Sequence, residues 1–244
     1  GYRSSHRSRA HARTYDPQFW APASARALDW DLEQRLLDRI LARHLPAAPA
    51  RALDFACGTG RILRYLESRI ADTTGVDNSE EMLAYARARC PDSHLIVHDV
   101  TTGAHPDLPT AVDLVTAFRF FLNAEPELRS DVLAWIRSVL GANGTLIANF
   151  HLNPRSLRGT YLRLRWLGRP RTPMMSPKQA RELLAAAGFE VIAQYGYEYL
   201  PYRRDGSHLR AVALRRRAEI GLLDRRRIAG AGGAFVVVAR PRCD

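Results

Sequence analysis

Five residues between positions 54 and 99 have the types and spacing of a nucleoside-binding site. Gly58 and Gly60 close the run LDFACGTG at 53–60, Asp77 ends GVD 17 residues later, and Asp99 ends the apolar run at 94–98. Two glycines let a strand reverse tightly into a helix and let a ligand approach the backbone closely. In an open α/β sheet, ligands bind at the carboxyl ends of the strands. There Asp77 is set to accept from both hydroxyls of a ribose, and Asp99 from the exocyclic amine of adenine. A dinucleotide site would favour GxGxxG, but its third glycine is here Leu63, and Asp54 would repel a pyrophosphate. A carboxylate at position 54 suits a sulfonium or an α-ammonium group better. Each acid also has a structural reading: Asp54 or Asp77 as a helix cap, Asp99 as a turn aspartate.

The elements that must position these residues are legible from periodicity and punctuation. A helix is expected from 22 to 45, with Leu28, Leu32, Leu36, Leu37, Ile40 and Leu41 at helical spacing. Strands are expected at 51–57, 73–76, 94–98, 111–118, 145–150, 189–197 and 234–239. Helices fall at 61–69, at 80–89 behind the N-cap Ser79, at 126–140, and from Ser176-Pro177 to Gly188. A turn is read at Asn143-Gly144. Strands alternating with helices imply a mostly parallel sheet covered on both faces.

With these pieces in order, ALDFACGTGRIL, GVDNSEEML, HDV and VDLVTAF resemble the class I S-adenosylmethionine-dependent methyltransferases over about residues 50–150. MSPKQARELLAAAGFEVI and AFVVVAR resemble that family's closing elements. The resemblance implies an α/β fold: a Rossmann-like seven-stranded mostly parallel sheet with helices on both faces and an antiparallel last strand. It implies S-adenosylmethionine as cofactor. Asp54, Ala56, Gly58 and Gly60 would line its methionine part, Asp77 with Asn78 and Met82 its ribose, Asp99 and Val100 its adenine. Phe118 would lie near the sulfonium. Met82 equally suits the core.

Methyl transfer from a sulfonium needs alignment above all, and a base only when the acceptor is protonated. His151, after the fifth strand, is the candidate base, with Arg119 as an anion-binding group of the catalytic site and Asn153 as a nearby polar contact. Phe120, Phe121 and Asn123 in FRFFLN are expected to wall an acceptor pocket, and Tyr15 and Trp20 in YDPQFW to fold over the cofactor. The structural readings are a loop histidine, core phenylalanines with a solvated arginine, and simple packing of the leading helix.

The chain has 244 residues and a net charge of +11, carried almost wholly by arginine, since Lys178 is the sole lysine. Residues 1–14 read as a flexible basic N-terminus, and 15–244 as one methyltransferase domain with basic inserts at about 151–175 and 198–233. The first insert holds an amphipathic pattern, Leu157, Tyr161 and Leu164 among arginines, suited to covering a substrate pocket or resting on anionic membrane. Scattered cysteines give no zinc spacing and no metal site, and favour a reducing, cytoplasmic compartment. The expected reaction is methylation of a small molecule, on oxygen of a hydroxyl or carboxyl group of a natural-product, glycan or lipid-like acceptor. N- or C-methylation is the alternative. RNA methylation gains from the charge but lacks an NPPY-like tetrapeptide, paired catalytic cysteines and a separate RNA-binding module. Oligomeric state is not legible.

Overall fold

The computed structural model describes residues 25–45, 49–165, 173–200, 209–223 and 225–242. The chain runs α1 (Ala25–His44), β1 (Arg51–Phe55), α2 (Arg61–Glu67), β2 (Asp72–Asp77), α3 (Glu80–Arg89), β3 (His94–Val97) and β4 (Val112–Ala117). It continues through α4 (Pro126–Val139), β5 (Leu140–His151), α5 (Leu157–Arg165), α6 (Pro177–Ala186), β6 (Phe189–Tyr197), α7 (Leu209–Leu223) and β7 (Ala234–Pro241). The strands form one sheet in the order β3-β2-β1-β4-β5-β7-β6. β7 pairs antiparallel with both β5 and β6, and the remaining pairings are parallel.

The period of two along each strand divides the core between the faces. On β7, Phe235, Val237 and Ala239 pack with α4 and α6, while Ala234, Val236 and Val238 pack with α1 and α2. AFVVVA is buried throughout because β7 has a neighbour on each edge and helices over both faces. Helix starts follow local chemistry. Ser79 Oγ accepts the Met82 N–H at 3.3 Å, and Ser176 and Gln179 form a reciprocal capping box ahead of Pro177. The turn expected at Asn143-Gly144 is instead part of β5, which begins at Leu140, and a register shift against β4 near Val112 and Leu114 absorbs the irregularity.

The order of connections reverses between β1 and β4, so a crevice opens at the carboxyl ends of these neighbouring strands. Ala56, Arg119 and Leu152 follow β1, β4 and β5 with φ of +53°, +61° and +73°. Left-handed backbone in residues with side chains is uncommon, and three cases along one rim show the rim to be held by its surroundings.

Candidate active site

The two glycines occupy different sides of the turn. Both are left-handed, Gly58 at φ +55° and Gly60 at +82°. Gly58 lines a cavity in the crevice, whereas Gly60 is not in its wall. A Cβ on Gly60 would come to 2.9 Å from Cys90 Sγ and 3.2 Å from Ala86 Cβ. Gly60 therefore permits close packing of the turn on α3. Gly60→Ala is expected to cost about 1–3 kcal/mol of stability, read by urea unfolding, because strain and overlap add.

Asp77 holds the turn from the second strand. Its Oδ2 accepts the Gly58 N–H and its Oδ1 the Ser79 N–H, each at 2.9 Å. Burial pushes its pKa up, against the pull of these backbone donors. Asn78, Met82, Asp99 and Val100 continue the wall on this side. Asp99 Oδ1 accepts from Thr101 N–H at 3.1 Å and Thr101 Oγ1 at 2.7 Å, an Asx turn that fixes its carboxylate at the rim. His98 also lines the wall; its Nε2 lies 2.9 Å from Gly103 O and its ring 5.2 Å from that of His105. In the sequence His98 is legible only as a strand end.

Asp54 is buried in the same wall beside Ala56. Thr116 Oγ1 donates to its Oδ1 at 2.6 Å, while Oδ2 has no hydrogen-bond partner among the described residues. Burial raises its pKa to about 7, against the Thr116 hydroxyl and the longer-range pull of Arg61 and the Leu63 N–H. A buried carboxylate with an unspent oxygen is costly on its own and fits a cationic ligand group.

The cavity is also lined by Phe118, Arg119, Phe120, Asn123 and His151, with Leu128 and Val132 of α4. Asn123 Nδ2 donates to Arg119 O at 2.7 Å, and Arg119 N–H to Asn149 Oδ1 at 3.3 Å. Arg119 Nη2 lies 3.7 Å from Glu33 Oε1, and the Glu33 carboxylate also pairs with Arg61. Tyr197 OH donates to Glu33 Oε1 at 2.7 Å, and Asn149 Nδ2 to Tyr197 OH at 2.5 Å. Burial pushes the Glu33 carboxyl up, but Arg61 and Arg119, then Tyr197, outweigh it and hold it below its ordinary range. Thus one buried acid from α1 tethers two arginines that line the cavity, and Arg61 also lies 4.6 Å over the Trp30 ring. Glu33, Arg61, Asn149 and Tyr197 are not among the site residues legible in the sequence. One signal was present: Glu33 heads the spacing Leu36, Leu37, Ile40, so an acid sits on the buried face of α1.

Two expected substrate contacts lie elsewhere. Phe121 is wholly buried and stacks on Phe150 at 5.8 Å, because the turn after β4 sends Phe120 to the cavity and Phe121 into the core. Asn153 is also fully buried; its Nδ2 donates to Gly230 O and Gly232 O at 2.8 and 2.9 Å, satisfying backbone of the 3-10 turn before β7. Tyr15, Trp20 and the basic N-terminus at 1–14 lie outside the described residues. Among the described residues no cluster of three or more His, Cys, Asp or Glu side chains could hold a metal ion.

A sheet of this order, with a glycine turn after β1 and acids at the ends of β2 and β3, is that of the class I S-adenosylmethionine-dependent methyltransferases, the class of enzyme to which this chain is similar. The class uses S-adenosylmethionine, and the cationic-group site at Asp54 with the carboxylate at Asp77 fits that molecule. Residues 52–144 match the family described as "Methyltransferase domain". The chain is 41% identical over 101 residues to trans-aconitate 2-methyltransferase of Variovorax paradoxus, covering 40% of this chain and 38% of that one. It is 29% identical over 192 residues to demethylmenaquinone methyltransferase of Thermotoga maritima, covering 68% and 81%. Magnesium protoporphyrin IX methyltransferase of Synechocystis shares the fold at a TM-score of 0.64 with 15% identity, over 99% of this chain and 100% of that one.

Proposed function

We propose that the enzyme transfers a methyl group from S-adenosylmethionine to an oxygen of a small anionic acceptor, a carboxylate or a hydroxyl on a compact or lipid-like molecule. The observation that supports this reading is that Arg119 and His151, from the ends of β4 and β5, line the same cavity as Asp54 and Asp77. S-adenosylmethionine, when bound, supplies a methyl group already activated on a sulfonium. Asp77 would hold its ribose, Asp54 its cationic methionine end, and Asp99 with Val100 its adenine. Arg119, tethered by Glu33, seats the acceptor's negative charge, and a planar guanidinium favours a carboxylate. Phe118, Phe120, Leu128 and Val132 keep the reacting end dry. His151 takes the proton of a hydroxyl acceptor. A carboxylate acceptor arrives ionised and asks for no base. Both relatives named above act on small molecules, one on trans-aconitate and one on demethylmenaquinone. The cytoplasm remains the expected compartment.

The test is transfer of labelled methyl from S-adenosylmethionine to a panel of carboxylic acids, phenols, amines and RNA. Label in esters or ethers supports the reading; label confined to amines, carbon or RNA overturns it. His151→Ala is expected to slow transfer to a hydroxyl by roughly 100-fold while leaving transfer to a carboxylate within a few fold, measured as kcat on each acceptor.

A further inference from the structure

α5 presents an apolar stripe to solvent that the cavity does not use. Leu157, Tyr161 and Leu164 are 69%, 57% and 64% exposed. At about 100° per residue their spacings of four and seven confine them to a sector of roughly 60°. None of them lines the cavity. The opposite side of the helix is fixed to the body. Gly159 is buried where a Cβ would come to 2.0 Å from Asn153 O, and Arg158, 16% exposed, pairs with the nearly buried Glu198. The stripe is therefore the outward face of a firmly seated helix.

Charge accompanies the stripe. Arg155, Arg163 and Arg165 are exposed, the last two flanking it on either side. No acidic residue occurs from His151 to Arg181. Leucines and a tyrosine between arginines, without acids, fit the boundary between lipid headgroups and acyl chains, where the apolar side chains sink and the guanidiniums stay with phosphates. Phosphates of RNA would satisfy the arginines but give the leucines nothing. A second copy would bring arginines against arginines. No described helix is long and apolar enough to cross a membrane, so contact would be peripheral.

We propose that the outer face of α5 docks on anionic lipid bilayers. This goes beyond methyl transfer and does not depend on the acceptor. The whole chain is sedimented with vesicles of phosphatidylcholine alone or mixed with phosphatidylglycerol. Partition onto the acidic vesicles is expected to be at least about tenfold greater and to fall with added salt, since surface charge attraction is screened. The triple variant Leu157→Ser, Tyr161→Ser, Leu164→Ser keeps the full net charge and is expected to lose this partition. The double variant Arg163→Glu, Arg165→Glu is expected to lose it as well. Calorimetric affinity for S-adenosylhomocysteine, unchanged in both, shows that they are folded. If the triple variant is misfolded, the double variant decides. Equal partition on neutral and acidic vesicles overturns the proposal. So does native-like binding by the folded triple variant, which would leave only general surface charge. Dimerisation through this face, or RNA binding through it with vesicles ignored, overturns it too.

Discussion

Asp77→Ala is expected to weaken S-adenosylhomocysteine binding by roughly 1,000-fold, about 4 kcal/mol, because on the proposed ribose assignment two charge-assisted hydrogen bonds are lost together. Asp77 also does structural work, accepting the Gly58 and Ser79 N–H groups at 2.9 Å each. Alanine leaves both donors without an acceptor, so part of the loss would come from a loosened turn. Asp77→Asn separates the two effects. It keeps the shape and one oxygen but removes the charge, so binding should fall by about tenfold or more with a smaller drop in melting temperature. Calorimetric titration and thermal unfolding of both variants check this. If the folded Asn variant bound within about threefold of the native protein, Asp77 would lose its ribose assignment.

Asp77 was legible because its position depends on short-range signals. A β-branched run, a glycine, an acid and then an N-cap serine mark a strand ending into a helix, and α3 spans 80–89 as that punctuation implies. The same holds for the glycine turn and for Asp99. The sequence did not reveal which side of the turn each glycine serves: Gly60 answers to Cys90 and Ala86, thirty and twenty-six residues away. Nor could it separate Phe120 from Phe121, since no period runs through the left-handed turn at Arg119. Asn153 drew notice as a polar group beside the site, yet its amide serves carbonyls of Gly230 and Gly232, which only tertiary folding brings near. The tether of Glu33, Arg61, Arg119 and Tyr197 draws on four segments of chain, its ends 164 residues apart. Pairwise spacing carries no signal for such a cluster; only the acid on the apolar face of α1 hinted at it.

Asp54 gives the enzyme a pH dependence whose sign follows from its burial. Its pKa is about 7 in the folded chain and near 3.8 without the fold. Below about 4 it is protonated in both states and costs nothing. As pH rises from there to about 7 the unfolded chain releases the proton first, so stability falls, by on the order of 4 kcal/mol at most. Asp54→Asn should remove this slope and make the ligand-free protein relatively more stable at pH 8 than at pH 4, read by urea unfolding at both. Binding has the opposite sign. A cationic ligand group beside Asp54 requires the ionised form, so affinity for S-adenosylhomocysteine should climb up to about tenfold per pH unit between 5 and 7 and then level off. The ligand's own α-amino group, that of a free amino acid, is less acidic than a peptide N-terminus and titrates above that window. Calorimetry at pH 6 in two buffers of different ionisation heat should count nearly one proton released on binding, and close to none in Asp54→Asn. The variant should bind about tenfold more weakly at pH 6 and roughly 100-fold more weakly at pH 7.5, since only the native carboxylate gains charge as pH rises. A native affinity flat across pH 5–7 would mean that the ammonium end of the ligand is held elsewhere in the cavity, with Asp77 and Asp99, the other acids of its wall, the next groups to test there.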